Sequence, residues 1–142
     1  MRKTISEERP LRGLKVVETA EGVSGPYCGK ILSLLGAEVL KIERPPKGDW
    51  SRNIGPFLSE VNNIESSALF LYNNTGKKSL VIDLETAEGM EQLDSLVYEA
   101  DVLIEDWDYN YRLTRNLKPN RFTSRNSSLI EISITPFGLT GP

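Results

Sequence analysis

The sequence predicts an open α/β fold, in which a mostly parallel sheet of about five strands is flanked by helices. Short runs rich in Val, Leu and Ile alternate along the chain with longer segments of helical periodicity. The first alternation is a complete strand, helix, strand unit between Leu14 and Arg44, and such units build parallel sheets. A length of 142 residues also suits one domain with a substantial core.

The first unit begins and ends with short apolar strands, predicted at residues 14–19 and 38–43. Pro26 fits the first turn of the helix between them, and Ser24 or Gly25 can cap that turn. The residues predicted to face the core recur at helical spacing; they are Cys28, Ile31, Leu32 and Leu35. Because such crossovers are right-handed, the loop before the helix lies at the carboxyl edge of the sheet, where open α/β sheets bind ligands.

The loop at this edge has features of an anion site. Gly22 and Gly25 allow close backbone approach, and the N–H groups of the helix N-terminus favour negative charge. Arg44 leaves the second strand at the same edge, and a guanidinium suits a phosphate. The alternative, given equal weight, is that the glycines and Pro26 only build a tight turn and that Arg44 is a solvated charge. The GxGxxG fingerprint of dinucleotide-binding domains is absent. Glu43 nevertheless lies about 20 residues after Gly22, where such domains carry an acid that binds the ribose, so NAD binding is a weaker alternative.

The middle of the chain continues the alternation. A long excursion at residues 45–65 suits either an adenine nucleotide site or a surface flap anchored by aromatic rings. Its cations and aromatic residues are Lys47, Trp50, Arg52 and Phe57. A helix is predicted at residues 66–72 and a third strand at residues 79–84, entered through Lys77 and Lys78. Adjacent lysines at a strand entry commonly solvate its edge.

Two more strands complete the predicted sheet. Thr86 caps a helix that precedes a strand at residues 102–105, and a fifth strand spans residues 128–135. The acids after the fourth strand suit a general acid or base or a metal site, but consecutive acids more commonly form a solvated strand end. They are Glu105, Asp106 and Asp108. A basic cluster follows, interpreted as a solvated helical face first and a phosphate clamp second. It comprises Arg112, Arg115, Lys118, Arg121 and Arg125.

Composition excludes several classes of function. Lys and Arg total 17 against 20 Asp and Glu, and a formal net charge of −3 gives no global field for nucleic acid or an anionic membrane. The sequence has no histidine, which removes Ser-His-Asp and Cys-His pairs and histidine-based zinc sites. Cys28 is the single cysteine and cannot form an internal disulfide, which fits a reducing compartment. Its expected role is packing in the core. The sequence has no apolar leader and no long apolar run, so a cytoplasmic protein is expected. Residues 1–10 are expected to form an arm.

Four segments resemble the amino-terminal part of the family III CoA-transferases, the CaiB/BaiF family. They read LRGLKVVETAEGVSGPYCGKILSLLGAEVLKIERPPKGD, NNTGKKSLVIDLETAEG, EADVLIED and ISITPFGLTGP, in the order and near the spacing of the family. The family includes formyl-CoA and carnitine CoA-transferases and α-methylacyl-CoA racemases. The resemblance implies that residues 11–142 form a Rossmann-like CoA-binding domain, truncated relative to the full family. It also implies CoA or acyl-CoA as substrate, no metal, and chains that interlock in pairs.

The resemblance also assigns residues. In this family an aspartate attacks the acyl-CoA thioester, or, in racemases, an α-proton is exchanged. The aspartate would lie beyond Pro142, so the chain alone is expected to be inactive. The resemblance implies that Lys77 and Lys78, at the entry to the third strand, and the loop at the first helix line the CoA groove. The candidate CoA-binding residues are Val23, Ser24, Gly25, Arg44, Lys77, Lys78, Ile82, Asp106, Trp107 and Arg115.

Several positions depart from the family pattern. Asp106 stands where asparagine is common and places negative charge near an anionic ligand. The residues after it replace the usual Phe-Arg-Pro-Gly; they are Trp107, Asp108, Tyr109 and Asn110. The later groove arginine aligns with Thr114, one place from Arg115. The leading hypothesis is CoA binding by the N-terminal part of a CoA-transferase, with a non-catalytic oligomerisation or binding module as the alternative. The partner is then a second copy or a chain supplying the missing part.

Overall fold

In the computed structural model, one parallel sheet of five strands runs in the order β3-β2-β1-β4-β5. The structure describes residues 9–58, 63–118 and 120–139, so most of the expected N-terminal arm lies outside the described residues. The strands are β1 (Lys15–Glu18), β2 (Glu38–Glu43), β3 (Lys78–Val81), β4 (Val102–Glu105) and β5 (Ile130–Ser133). The helices are α1 (Ser24–Leu34), α2 (Ala68–Asn74), α3 (Ala87–Tyr98) and α4 (Tyr109–Thr114), with a short 3₁₀ turn at Trp50–Asn53. The predicted open α/β fold is confirmed.

The strand order reverses at β1, which is the first strand along the chain and lies at the centre of the sheet. Val17 of β1 is in register with Leu40 of β2 on one side and with Leu103 of β4 on the other. The connection after β1 leads to β2 on one side of it, and the connection after β3 leads to β4 on its other side. In open α/β sheets ligands bind outside the carboxyl ends of the strands at such a reversal.

Apolar cores lie on both faces of the sheet, because successive residues of a strand point to opposite sides. Val16 belongs to a core with Val39 and Ile104 on the face of α1, whereas Val17 belongs to a larger core with Leu93 and Leu103 on the face of α3. Thr86 caps α3 as predicted, accepting a hydrogen bond from the Gly89 N–H. No described helix is long and apolar enough to span a bilayer.

Helix α1 corrects two sequence predictions. Its N-cap is Val23, which has no side-chain cap, so Ser24 and Gly25 lie inside the helix. Of the predicted core face, Ile31 and Leu35 are 39% and 41% exposed. Cys28 and Leu32 are partly buried against the core. The buried residues of the helix are instead mostly small, namely Gly25, Pro26, Gly29 and Ser33. Small side chains let α1 approach β1 closely, and the apolar stripe turns partly outward.

Candidate functional site

A crevice of about 230 Å³ lies at the carboxyl ends of β1, β2 and β4, where the strand order reverses. It is lined by Thr19, Glu21, Ile42, Arg44, Trp50, Leu84, Asp106, Trp107, Asp108 and Tyr111. Three of these residues carry carboxylates and one carries a guanidinium. The crevice therefore combines aromatic surface with an excess of negative charge.

Arg44 is present at the predicted edge, but its guanidinium is already paired. Its Nε and Nη2 atoms each donate to one carboxylate oxygen of Glu21, both at 2.6 Å. The Arg44 side chain is 54% exposed, whereas the Glu21 side chain is only 8% exposed. These hydrogen bonds raise the pKa of Arg44 above its ordinary value, with burial acting in the opposite direction. The guanidinium is accessible, and Glu21 occupies its Nε and Nη2 edge.

Backbone N–H groups of the loop after β1 also have carboxylate partners. The N–H of Glu21 donates to Asp106 at 3.0 Å, and the N–H of Gly22 donates to both oxygens of Asp49 at 3.0 and 3.1 Å. The Trp50 ring lies directly against Gly22, whose φ is 77°, and a Cβ atom at that position would overlap the ring. The chain's own carboxylates therefore occupy these two backbone donors, which precede the first turn of α1.

Asp106 is half-buried beside the loop and close to two other acids. Burial raises the pKa of the Asp106 carboxyl; Glu21 and Glu105 act in the same direction, while the hydrogen bond from the Glu21 N–H lowers it. At this point the structure places an acid that is harder to ionise than usual next to the loop that the sequence assigned to an anion. The electrostatics oppose a close phosphate contact at Asp106 itself.

Lys77 does not line the crevice, because it belongs to a buried network of charges. Its ammonium, only 2% exposed, donates to both oxygens of Glu18 at 2.8 and 2.7 Å. Glu18 also accepts from Lys41 at 3.1 Å, and Lys41 lies 2.8 Å from Asp49. Burial outweighs the attraction of Glu18 and lowers the pKa of Lys77 to about 8. The donors of Lys77 are used internally in this structure, and its contact with a phosphate stays a prediction.

The remaining candidates are dispersed rather than gathered. Lys78 is 79% exposed at the start of β3, 3.9 Å from Glu38, at the opposite edge of the sheet from the crevice. Ile82 is buried in the core on the α3 face. Val23 and Ser24 are exposed at the start of α1, whereas Gly25 is buried against Ala20. Lys78 and Arg44 therefore lie at different ends of the sheet, and the contact of Lys78 with a phosphate stays a prediction.

Trp107 and Arg115 lie near the crevice in different ways. The Trp107 ring is 6% exposed and packs against the rings of Tyr111 and Phe122 at centroid distances of 6.0 Å. Arg115 forms an ion pair with Glu85 and donates to the backbone carbonyl of Leu84 at 3.2 Å. Trp107 thus forms the inner wall of the crevice, and Arg115 is held to the loop after β3.

Three arginines of the basic cluster after β4 form ion pairs within the fold. Glu105 is fully buried and accepts a hydrogen bond from Arg112, which corrects its interpretation as part of a solvated strand end. Arg121 and Arg125 both pair with Asp94 on α3. No group of three or more metal-ligating side chains suits a metal ion among residues 9–58, 63–118 and 120–139.

Glu43, the basis of the weaker NAD alternative, anchors the excursion instead. Its carboxylate accepts from Arg52 at 2.6 and 2.8 Å, from the Ser79 hydroxyl at 2.5 Å and from the Asp49 N–H at 3.1 Å. Burial opposes ionisation, but the hydrogen bonds from Arg52 and Ser79 lower the pKa of Glu43 to about 2. A carboxylate with these partners has little capacity left for a ribose hydroxyl.

Sequence reasoning missed this buried network. One signal was available: Lys41 interrupts the apolar run of β2, at a position where a parallel strand between two helical layers is normally apolar. A charged residue there requires a buried partner. The partners Glu18 and Asp49 come from other elements, so the sequence pattern alone does not identify them.

The parallel sheet with a crevice at its strand reversal places the chain among the open α/β domains. The model for CoA-transferase family III matches residues 11–142, and the chain belongs to this family. It is 39% identical over 135 residues to the succinate–glutarate CoA-transferase of Agrobacterium fabrum, covering 94% of this chain and 34% of that protein. The chain thus spans about a third of the length of the curated relatives it matches.

Other relatives agree with this assignment. A succinyl-CoA:(R)-benzylsuccinate CoA-transferase subunit of Thauera aromatica is 36% identical over 121 residues, covering 85% of this chain and 29% of that protein. Among solved structures, a CaiB/BaiF family protein from Brucella suis matches with a TM-score of 0.83 and 43% identity, over 94% of this chain and 35% of that one. The resemblance stated from the sequence motifs is confirmed.

Proposed function

We propose that this chain is the CoA-binding part of a family III CoA-transferase and that the crevice at the carboxyl ends of β1, β2 and β4 receives CoA or its thioesters. The main support is the position of the crevice at the strand reversal, in a chain that belongs to a family named for CoA transfer. CoA carries an adenine nucleotide with phosphates at one end and a thiol at the other.

The crevice offers chemistry for the nucleotide end. Trp50 is 48% exposed at the crevice and presents a face on which a base can stack. Arg44 is the crevice-lining cation, and its guanidinium is suited to bidentate contact with a phosphate. Transfer itself would use the family's nucleophilic aspartate, which the family resemblance places beyond Pro142. We therefore assign to these residues ligand binding and positioning rather than bond making.

Isothermal titration of the 142-residue chain with CoA tests the proposal. We expect saturable heat with CoA and weaker binding of NAD, and CoA should also raise the melting temperature by mass action. Trp50→Ala should weaken CoA binding, whereas Tyr98→Ala, which removes a ring that is 64% exposed on α3, should not. Absence of both heat and stabilisation at millimolar CoA, in a chain shown to be folded by circular dichroism, would refute CoA binding.

A second candidate function is assembly with another copy of the chain. The outer face of α1 exposes an apolar stripe at helical spacing, with Tyr27 45%, Ile31 39% and Leu34 57% exposed. Exposed apolar patches of this kind commonly mark protein contacts. Light scattering is the test: a dimer that Ile31→Glu converts to a monomer supports assembly through α1, and a strictly monomeric wild-type chain contradicts it.

A further inference from the structure

We propose that Glu21 is an internal anion that occupies Arg44 until a phosphate group of the ligand displaces it, so that Glu21 sets the affinity of the crevice for phosphorylated ligands. The inference rests on the proposed function, because it concerns how CoA gains access to the Arg44 guanidinium. It extends that function by assigning a role to a residue that is absent from the candidate CoA-binding residues predicted from the sequence.

The geometry of the Glu21–Arg44 pair is that of a bound oxyanion. Both carboxylate oxygens accept parallel hydrogen bonds at 2.6 Å, one from Nε and one from Nη2 of Arg44. A phosphate presents two oxygens to a guanidinium in the same bidentate manner. A phosphate that binds the Nε and Nη2 edge of Arg44 therefore competes with the Glu21 carboxylate, since both cannot occupy that edge.

Glu21 is also the carboxylate that can leave most easily. Asp49 is fully buried and bound to Lys41, Ser51 and the Gly22 N–H, so its departure would break the fold of the loop. The Glu21 carboxylate, by contrast, has hydrogen bonds with Arg44 alone within the part of the chain that the structure describes. Its replacement at Arg44 by a ligand phosphate exchanges one charged pair for another.

The surrounding charge makes this exchange costly. Once displaced, the Glu21 carboxylate remains near the ligand phosphate, and Asp106 and Asp108 line the same crevice. Like charges in a partly buried site repel strongly, because water screens them less than at an open surface. Neutralising Glu21 removes the competitor and one of the repelling charges together, and it leaves the hydrogen bond from the Glu21 backbone N–H to Asp106 in place.

The test is titration of CoA into the wild-type chain and into Glu21→Gln at low ionic strength. The variant should bind CoA about three- to tenfold more tightly, the range expected when a partly exposed ion pair no longer competes. The matched control is Glu99→Gln, which removes the same charge from a position that is 74% exposed and paired with Lys15. We expect the control to change the affinity for CoA by less than about twofold.

Two further arms assign the gain to Arg44 and to phosphate. Arg44→Gln and the double variant Glu21→Gln/Arg44→Gln should bind CoA equally, because the gain disappears once Arg44 is lost. The affinities of the wild-type chain, the two single variants and the double variant form a cycle that measures the coupling between the two residues. Pantetheine, which lacks phosphate, should bind the wild-type chain and Glu21→Gln equally. If Glu21→Gln does not fold, Glu21→Ala provides a second neutral variant.

The outcomes separate this inference from the function on which it rests. If CoA binds the wild-type chain and Glu21→Gln equally, or if the gain survives the loss of Arg44, Glu21 is not a competitor and the inference is wrong while CoA binding stands. If pantetheine gains as much as CoA, phosphate is not the displacing group, and the inference is again wrong. If CoA binds neither the wild-type chain nor Glu21→Gln, the proposed function fails together with the inference.

Discussion

The replacement of Lys77 by methionine tests the buried charge network through its dependence on pH. Lys77 donates to Glu18, to the backbone carbonyl of Pro26 at 2.8 Å and to Asn74 at 2.9 Å. Burial nevertheless lowers its pKa to about 8 from an ordinary value of 10.5. A lysine with a lowered pKa decreases the free energy of unfolding at every pH at which the folded chain must keep it charged.

The sign and size of the effect follow from linkage. Between pH 8 and pH 10.5 the unfolded chain holds the Lys77 proton and the folded chain has released it, so the contribution of Lys77 to stability rises with pH across this window. At about 1.36 kcal/mol for each pH unit, the difference between the two pKa values gives a rise of about 3 kcal/mol. Below pH 8 both states are protonated and the contribution is constant.

Urea unfolding of the wild-type chain and Lys77→Met at intervals from pH 7.5 to pH 10.5 measures this contribution, since other groups that titrate in this range are common to both proteins. The free energy of unfolding of the wild-type chain should rise relative to that of the variant by about 3 kcal/mol over the range. Lys78→Met, at a neighbouring exposed position, reports the effect of losing one surface charge. A difference between wild type and Lys77→Met that stays constant with pH would refute the reasoning.

Two further predictions concern the same network. Asp49→Asn should lower the free energy of unfolding by about 3 kcal/mol in urea, because it leaves the buried Lys41 with only one carboxylate partner; a loss below about 1 kcal/mol would contradict the importance of the pair. Gly29→Ala should destabilise by about 2 kcal/mol because its methyl group would overlap the Glu18 carboxylate. Alanine is otherwise the better helix former by about 1 kcal/mol, so a gain in melting temperature would contradict the close packing of α1.

The fold could be predicted from the sequence because its signals are local. The apolar run of β4 and the Thr86 cap of α3 each lie within a few consecutive residues, and both occur where predicted. The alternation of strands and helices then restricts the topology, since parallel strands need crossovers of one hand. The errors in extent are small: β3 spans Lys78–Val81 where residues 79–84 were predicted, and β5 spans Ile130–Ser133 where residues 128–135 were predicted.

The partners of the candidate site residues could not be predicted, because they are distant in the sequence. Lys77 and Glu18 are 59 residues apart, and Arg44 and Glu21 are 23 residues apart. A lysine at a strand entry and an arginine at a strand end have the same sequence pattern whether they meet a ligand or an internal carboxylate. Only the fold decides between these partners, and here it brings an acid to each of them.

The buried network and the exposed pair are two parts of one arrangement around the loop after β1. Lys41 donates to the backbone carbonyl of Ala20 at 2.8 Å, and Asp49 accepts from the backbone N–H of Gly22. The main chain on both sides of Glu21 is therefore fixed by charged groups that water does not reach. The Glu21 side chain projects from this fixed backbone to Arg44, whose own side chain is more than half exposed. Such a loop can exchange one carboxylate for a ligand phosphate without moving its backbone, which keeps the ordering cost of binding low.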